Sequence, residues 1–269
     1  MSTTSASSNL LRHEFRGEGS QPVALLHGFM GSGRNLSSLA RRWADRQPGL
    51  RILIPDLTGH GGSPALPEPP QLENLARDLI ALLLETFGSE PVTLVGHSMG
   101  GRVALLARIL APERVRAVTL IDIGPSPMDR PAGELDPVVS ALLSAPSSGP
   151  SRDVFRLHFS EAGIGTALTD WLLMNLARTD SGELAWRIDR GALGRLEVNS
   201  RNLDLWPSVA LGPTVCVRGG RSPFVGESDA TRLKAEGVEL HTIPEAGHFV
   251  HVDAQPELVD ILCVDSTTP

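Results

Sequence analysis

The sequence predicts an α/β fold: a mostly parallel central sheet flanked by helices, with a helical cap inserted late in the chain. Three observations predict it. Short runs of continuously apolar residues recur, helical patterns lie between them, and from about Pro125 to Pro213 the alternation stops. A strand that is apolar at every position, and not at every second one, is buried on both faces. That is the state of a parallel strand covered by helices above and below.

The elements follow in order. Residues 23–26 (Val-Ala-Leu-Leu) form the first apolar run and end at His27-Gly28. Residues 35–46 carry Leu36, Leu39, Ala40 and Trp43 at helical spacing. The run 52–54 ends at Pro55-Asp56. The pattern at 72–87 places Leu72, Leu75, Ala76, Leu79, Ile80 and Leu83 on one helical face. The run 92–95 ends at Gly96 and is followed by a helix pattern at 99–110. Runs at 115–121, 214–217 and 238–243 end at Asp122, Arg218 and Pro244, and a last helix is expected at 256–262. Within 125–213, Pro and Ser clusters precede helical patterns around 153–159, 165–176 and 182–191, and no strand is expected. The organisation read from this is a disordered tail over 1–12, a core made of 13–124 and 214–265, and a helical cap over 125–213.

Composition narrows the function. The chain has 269 residues, a net charge of −7, 41% hydrophobic and 20% charged residues, so it is an ordinary globular protein. Mild acidity argues against a nucleic-acid partner. The N-terminus is polar, without the basic start and apolar core of a secretory leader. The apolar run at 79–84 is six residues, far short of the roughly 18 needed to cross a bilayer. Two cysteines, Cys216 and Cys263, make no disulfide framework. These features together point to a soluble, cytoplasmic protein with no membrane partner, and they set no oligomeric state. There is no tyrosine, and aromatics are only 4%, with Trp171, Trp186 and Trp206 all in the expected cap. Chemistry that needs a tyrosine hydroxyl is excluded.

Three motifs carry chemistry. Gly96-His97-Ser98-Met99-Gly100-Gly101 follows an expected strand and opens an expected helix, the context required of a Gly-x-Ser-x-Gly nucleophile turn. The glycines let the chain turn sharply enough to expose the Ser98 hydroxyl, and the Met99 N–H sits at a helix N-terminus where it can stabilise an oxyanion. His27-Gly28-Phe29-Met30-Gly31-Ser32-Gly33 follows the first strand and presents the N–H of Phe29 as the second oxyanion donor, with His27 structural. Gly247-His248-Phe249-Val250-His251 follows the last strand. Its His248 is favoured over His251 as the base because it immediately follows the glycine of that loop.

The acid is less direct. After residues 214–217 the chain reads Gly219-Gly220-Arg221-Ser222-Pro223-Phe224-Val225, with Ser222 where an aspartate is expected. Serine carries no charge to stabilise an imidazolium. Asp122 ends the preceding strand, 24 residues after Ser98, and strand ends share one edge of a parallel sheet. Asp229 is the rival, expected on a helix, and Ser222 is kept as a secondary site position. Asp56 and His60 read as turn-stabilising, and Arg102 reads as a helix-surface arginine. The histidines lack the Cys, His or carboxylate neighbours that metal binding requires, so neither metal nor cofactor is expected.

Together these motifs resemble the α/β-hydrolase superfamily, from about Pro22 to Leu262. A narrower resemblance is carried by residues 96–101, by Ile121-Asp122-Ile123-Gly124-Pro125, and by Gly219 to Val225. It is to the YbfF-type bacterial esterases and their mitochondrial abhydrolase relatives. In that subgroup the acid follows the earlier strand and a serine stands at the usual acid site, so the resemblance supports Asp122. It implies a serine esterase with an acyl-enzyme intermediate and a short-to-medium acyl ester or thioester as its small-molecule substrate. Residues 27–33 and Gly101-Arg102 are also similar to the menaquinone-pathway lyase, but that subgroup's tyrosine and later aspartate are replaced here by His97 and Ser222. Ser98 excludes the haloalkane dehalogenases and epoxide hydrolases, whose nucleophile is an aspartate. A slow small-ligand binder of the same fold is the remaining alternative.

Overall fold

The computed structural model of the chain describes residues 10–128 and 136–265. In chain order its strands are β1 (His13–Arg16), β2 (Gln21–Leu26), β3 (Leu50–Pro55), β4 (Val92–His97) and β5 (Val115–Ile121), then β6 (Ser148–Gly149), β7 (Leu176–Arg178), β8 (Leu184–Trp186), β9 (Thr214–Gly219) and β10 (Glu239–Ile243). Seven of them form one sheet in the order β1-β3-β2-β4-β5-β9-β10. Every neighbouring pair in it is parallel except β1 with β3.

All six apolar runs form strands, five of them largely buried as their composition implies, while the last, β10, is a half-exposed edge strand. Along β2, Val23 and Leu25 face one side and Ala24 and Leu26 the other. The first side packs on α1 (Ser37–Arg46), through Leu39, Ala40 and Trp43, and on the C-terminal helix Gln255–Asp265, through Leu258, Val259 and Leu262. The second side packs on α2 (Leu72–Phe87) and α3 (Met99–Leu110). Each fully buried leucine of these layers contributes roughly 1.5–3 kcal/mol of transfer free energy.

β1 escaped the pattern. Its sequence, His-Glu-Phe-Arg, is charged and only half-buried because it lies at the sheet edge, antiparallel to β3. Of the tail expected over 1–12, residues 1–9 lie outside the described ones. Ordered packing begins before 13: Leu11 is buried, and the Arg12 guanidinium binds the buried Asp56 carboxylate at 3.0 Å.

The expected cap is more mixed than an all-helical insertion. It holds α4 (Pro137–Ser144), α5 (Arg152–Glu161), α6 (Thr166–Leu172), α7 (Arg190–Ser200) and α8 (Trp206–Val209). It also holds a small antiparallel sheet in the order β6-β8-β7, which corrects the expectation of no strand there. The helical pattern at 182–191 is overturned too. Leu184 to Trp186 pair with β7, and the helix starts only after Asp189, whose side chain caps it by accepting the Ala192 N–H at 2.9 Å. The same local logic starts α4 at Asp136-Pro137, where Asp136 accepts the Val138 N–H at 2.8 Å.

Beyond the cap, β9 leads through α9 (Glu227–Ala235) to β10, and α10 (Val250–Asp253) precedes the C-terminal helix, α11. Among the described residues, no helix is long and apolar enough to cross a membrane.

Candidate active site

Strand register brings the motif residues together. His97 ends β4 opposite Ile121 of β5, so the next residues, Ser98 and Asp122, emerge side by side at one sheet edge. The Ser98 N–H donates to the Ile121 carbonyl at 3.0 Å, and the Asp122 N–H to the Val217 carbonyl of β9 at 2.8 Å. Both residues leave their strands in the left-handed region, Ser98 with φ 52° and ψ −122° and Asp122 with φ 53°. For residues with a side chain such backbones cost of order 1–3 kcal/mol each. At Ser98 this geometry is the sharp strand-to-helix turn between β4 and α3. The turn needs its glycines: a Cβ at Gly100 would come within 2.5 Å of the Leu26 carbonyl oxygen and 2.6 Å of that of His27.

The Asp122 carboxylate is fully buried and fully partnered. Oδ1 accepts the Gly219 N–H at 2.9 Å. Oδ2 accepts both the Ser222 hydroxyl and His248 Nδ1–H, the latter at 2.7 Å. Three donors offset the desolvation of a buried charge. Ser222, where the sequence lacks the usual acid, is thus bonded to Asp122, the candidate acid of the preceding strand. Its oxygen also accepts the Phe224 N–H at 3.3 Å, and the Phe224 ring stacks on His248 with centroids 3.9 Å apart.

The rivals fall elsewhere. Asp229, on α9, accepts the Ser126 hydroxyl at 2.5 Å. His251 is buried against the His97 ring, with centroids 4.5 Å apart, and burial pushes its pKa down to about 4. His97 donates from Nε2 to the His248 carbonyl at 2.8 Å, and burial, reinforced by the neighbouring His251 and His248, holds it neutral. Gly28 makes room for it, since a Cβ there would lie 2.8 Å from His97 Nδ1.

The turn after β2 is closed by the Gly31 N–H on the Gly28 carbonyl at 3.0 Å, with Met30 at φ 59°. His27 is structural, as expected. Its Nδ1–H donates to the Gly28 carbonyl at 2.8 Å while Nε2 accepts the Leu57 N–H at 2.9 Å. That pairing requires the neutral ring, which burial favours by lowering its pKa. Asp56 is a turn organiser too, accepting the Gly33 and Gly62 N–H groups at 2.8 Å each.

Gly28, Phe29, Ser98, Met99 and His248 line one cavity of about 300 Å³, walled otherwise mainly by apolar side chains such as Leu72, Ile123, Leu168, Trp171 and Leu196. Trp171 comes from the cap, as the aromatic bias of that stretch implies. Arg102 also reaches this cavity and is buried, not the surface residue expected. Its guanidinium donates to the Ser126 and Leu203 carbonyls at 2.7 Å each, and desolvation lowers its pKa to about 10. Among the described residues, no group of three or more His, Cys, Asp or Glu side chains is placed to hold a metal ion.

The profile of the alpha/beta hydrolase family matches residues 23–261. The chain belongs to that family. It is 29% identical over 245 residues to the sn-1-specific diacylglycerol lipase ABHD11 of Mus musculus, a match covering 88% of this chain and 78% of that one. It is also 29% identical over 248 residues to esterase YbfF of Escherichia coli K12, covering 88% and 89%. Among solved structures, a marine microorganism esterase superposes with a TM-score of 0.81 at 25% identity, covering 95% of this chain and 98% of that one. These findings agree with the superfamily and subgroup resemblance carried by the motifs.

Proposed function

We propose that this alpha/beta hydrolase is a serine ester hydrolase acting through Ser98, His248 and Asp122. The single observation that carries the reading is the juxtaposition, at adjacent strand ends, of a left-handed Ser98 and a buried Asp122 bonded to His248, with Ser98 and His248 lining one apolar cavity. The enzyme class, a carboxylic ester hydrolase, is also the one to which the named relatives belong.

The chemistry follows from hydrogen-bond bookkeeping. His248 Nδ1–H is committed to Asp122, so Nε2 carries the free lone pair. Ser98 Oγ adds to the ester carbonyl carbon as its proton passes to Nε2. Asp122 holds the ring in that tautomer and stabilises the imidazolium. The N–H groups of Phe29 and Met99 stabilise the oxyanion; Met99 is the first residue of α3, where helical N–H groups have no intrahelical partner. The alcohol or thiol leaves with the imidazolium proton. Water, deprotonated by His248, then adds to the acyl-enzyme and releases the acid together with Ser98 Oγ–H. The substrate class is a small ester or thioester of a short-to-medium acyl chain, for which the apolar cavity supplies the binding surface. We also place the chain in the cytoplasm, on the strength of its two-cysteine composition.

The test is direct. Ser98→Ala abolishes turnover of p-nitrophenyl acetate and butyrate, and a fluorophosphonate labels the wild-type chain at Ser98. Wild-type rates in the variant would sink the proposal.

A further inference from the structure

Asn175 belongs to the cap, at the end of the short 3-10 turn Leu173–Asn175, and it is buried. Its Nδ2 donates to the Met30 carbonyl at 2.8 Å, across 145 positions of chain. It also donates to the Leu172 carbonyl at 3.2 Å, and its own backbone carbonyl accepts the Arg187 N–H at 2.9 Å, so the residue is tied into the cap at both ends.

What this bond holds becomes clear from the geometry of the peptide unit. In a trans peptide the C=O and the following N–H point in opposite directions within one plane. The Met30 carbonyl and the Gly31 N–H therefore share a plane, and so do the Gly28 carbonyl and the Phe29 N–H. The Gly31 N–H donates to the Gly28 carbonyl at 3.0 Å. The bonds thus run in series: from Asn175 Nδ2–H to the Met30 carbonyl, from the Gly31 N–H to the Gly28 carbonyl, and out through the Phe29 N–H. Bonds in such a chain polarise one another. The segment also needs holding, because Met30 sits at φ 59°, a strained backbone for a residue with a side chain. From the core side, His27 Nδ1–H steadies the Gly28 carbonyl at 2.8 Å. From the cap side, the hold is Asn175.

We infer that Asn175 is a positioning residue for the oxyanion hole: it fixes the turn that aims the Phe29 N–H, so that the hole is complete only with the cap seated. The inference rests on the serine-esterase reading above, in which Phe29 supplies one oxyanion donor. It adds that the cap acts on the chemical step as well as on substrate binding.

The experiment compares wild type with Asn175→Ala and Asn175→Asp. The aspartate keeps the side-chain shape, but its carboxylate cannot donate to the Met30 carbonyl. Active enzyme is counted by fluorophosphonate labelling of Ser98, so any unfolded fraction drops out. Both variants are expected to lose about 10-fold or more in kcat per labelled serine on p-nitrophenyl acetate, a share of the 10²–10³ that a whole oxyanion donor supplies, with KM changed less than about 2-fold. Affinity for a trifluoromethyl ketone, whose adduct with Ser98 carries the oxyanion, should fall in step with kcat. Unchanged kcat per labelled serine, a rise in KM alone, or an unchanged ketone affinity overturns the inference while leaving the esterase reading intact. A wild-type chain that takes no label at Ser98 overturns the esterase reading, and the inference with it.

Discussion

At the scale of single residues, the hydrogen bonds of the two candidate acids favour Asp122 in the proposed triad. Asp122 Oδ2 accepts His248 Nδ1–H at 2.7 Å, whereas Asp229 is engaged with the Ser126 hydroxyl, on a different element. Asp122→Asn removes the negative charge that stabilises the imidazolium and offers an amide in its place. It should lower kcat for p-nitrophenyl butyrate by about 10⁴-fold, as loss of the triad acid does elsewhere. Asp229→Asn should stay within a few-fold of wild type; the reverse ranking would move the acid. As candidates, Ser98 and Asp122 were legible because each directly follows a buried strand, and His248 because it lies in the loop after the last one; parallel strands put such segments on one edge. Asn175 was not legible. It lies in no motif, and its partner carbonyl on Met30 is 145 positions away. The stacking of Phe224 on His248 is tertiary in the same sense, although the proximity of Phe224 to Ser222 was a signal.

At the scale of elements, the strands of the main sheet were legible wherever both faces are buried. β1 was not, because an edge strand keeps charged residues that mask its pairing. In the cap, β7 and β8 are three residues each, too short to show a period of two, and β8 falls inside the helical pattern expected at 182–191. The contact between β4 and α3 is a demanding junction. Its glycines let the helix start against the end of β2, and a Cβ at Gly100 would intrude to 2.5 Å from the Leu26 carbonyl oxygen. Since that neighbour is backbone, it cannot swing aside. Gly100→Ala should lower the thermal midpoint by several degrees, in line with a cost of about 1–3 kcal/mol for overpacking, and should depress activity in parallel. An unchanged melting curve would show that the turn has slack.

At the scale of the whole molecule, two features join core to cap and to solvent conditions. Arg102, one turn into α3, donates to carbonyls at both roots of the cap: Ser126 on the entering chain and Leu203 on the returning one. Arg102→Met keeps the stem and removes the donor from those half-buried acceptors, at about 1 kcal/mol each. The variant should be less stable to urea, and limited proteolysis should cut the cap before the core. Uniform resistance would refute the strut. The buried histidines set the acid limit. Burial lowers the pKa of His60 to about 3 and of His251 to about 4, below the 6.5 usual for the unfolded chain. Between those values the unfolded chain binds more protons, so stability rises with pH there and is lost as pH falls below about 6.5. The urea midpoint should therefore be lower at pH 5 than at pH 7.5.

Local pattern in the chain suffices for the layers of the core and for the places of Ser98, His248 and Asp122, the triad proposed here, because each depends on the strands and the loops that follow them at the shared edge of a parallel sheet. Tertiary structure alone decided the small sheet of the cap, the burial of Arg102 and the bond from Asn175 to Met30. Those depend on which backbone groups an inserted segment meets when it docks, and no periodicity in the chain records that meeting.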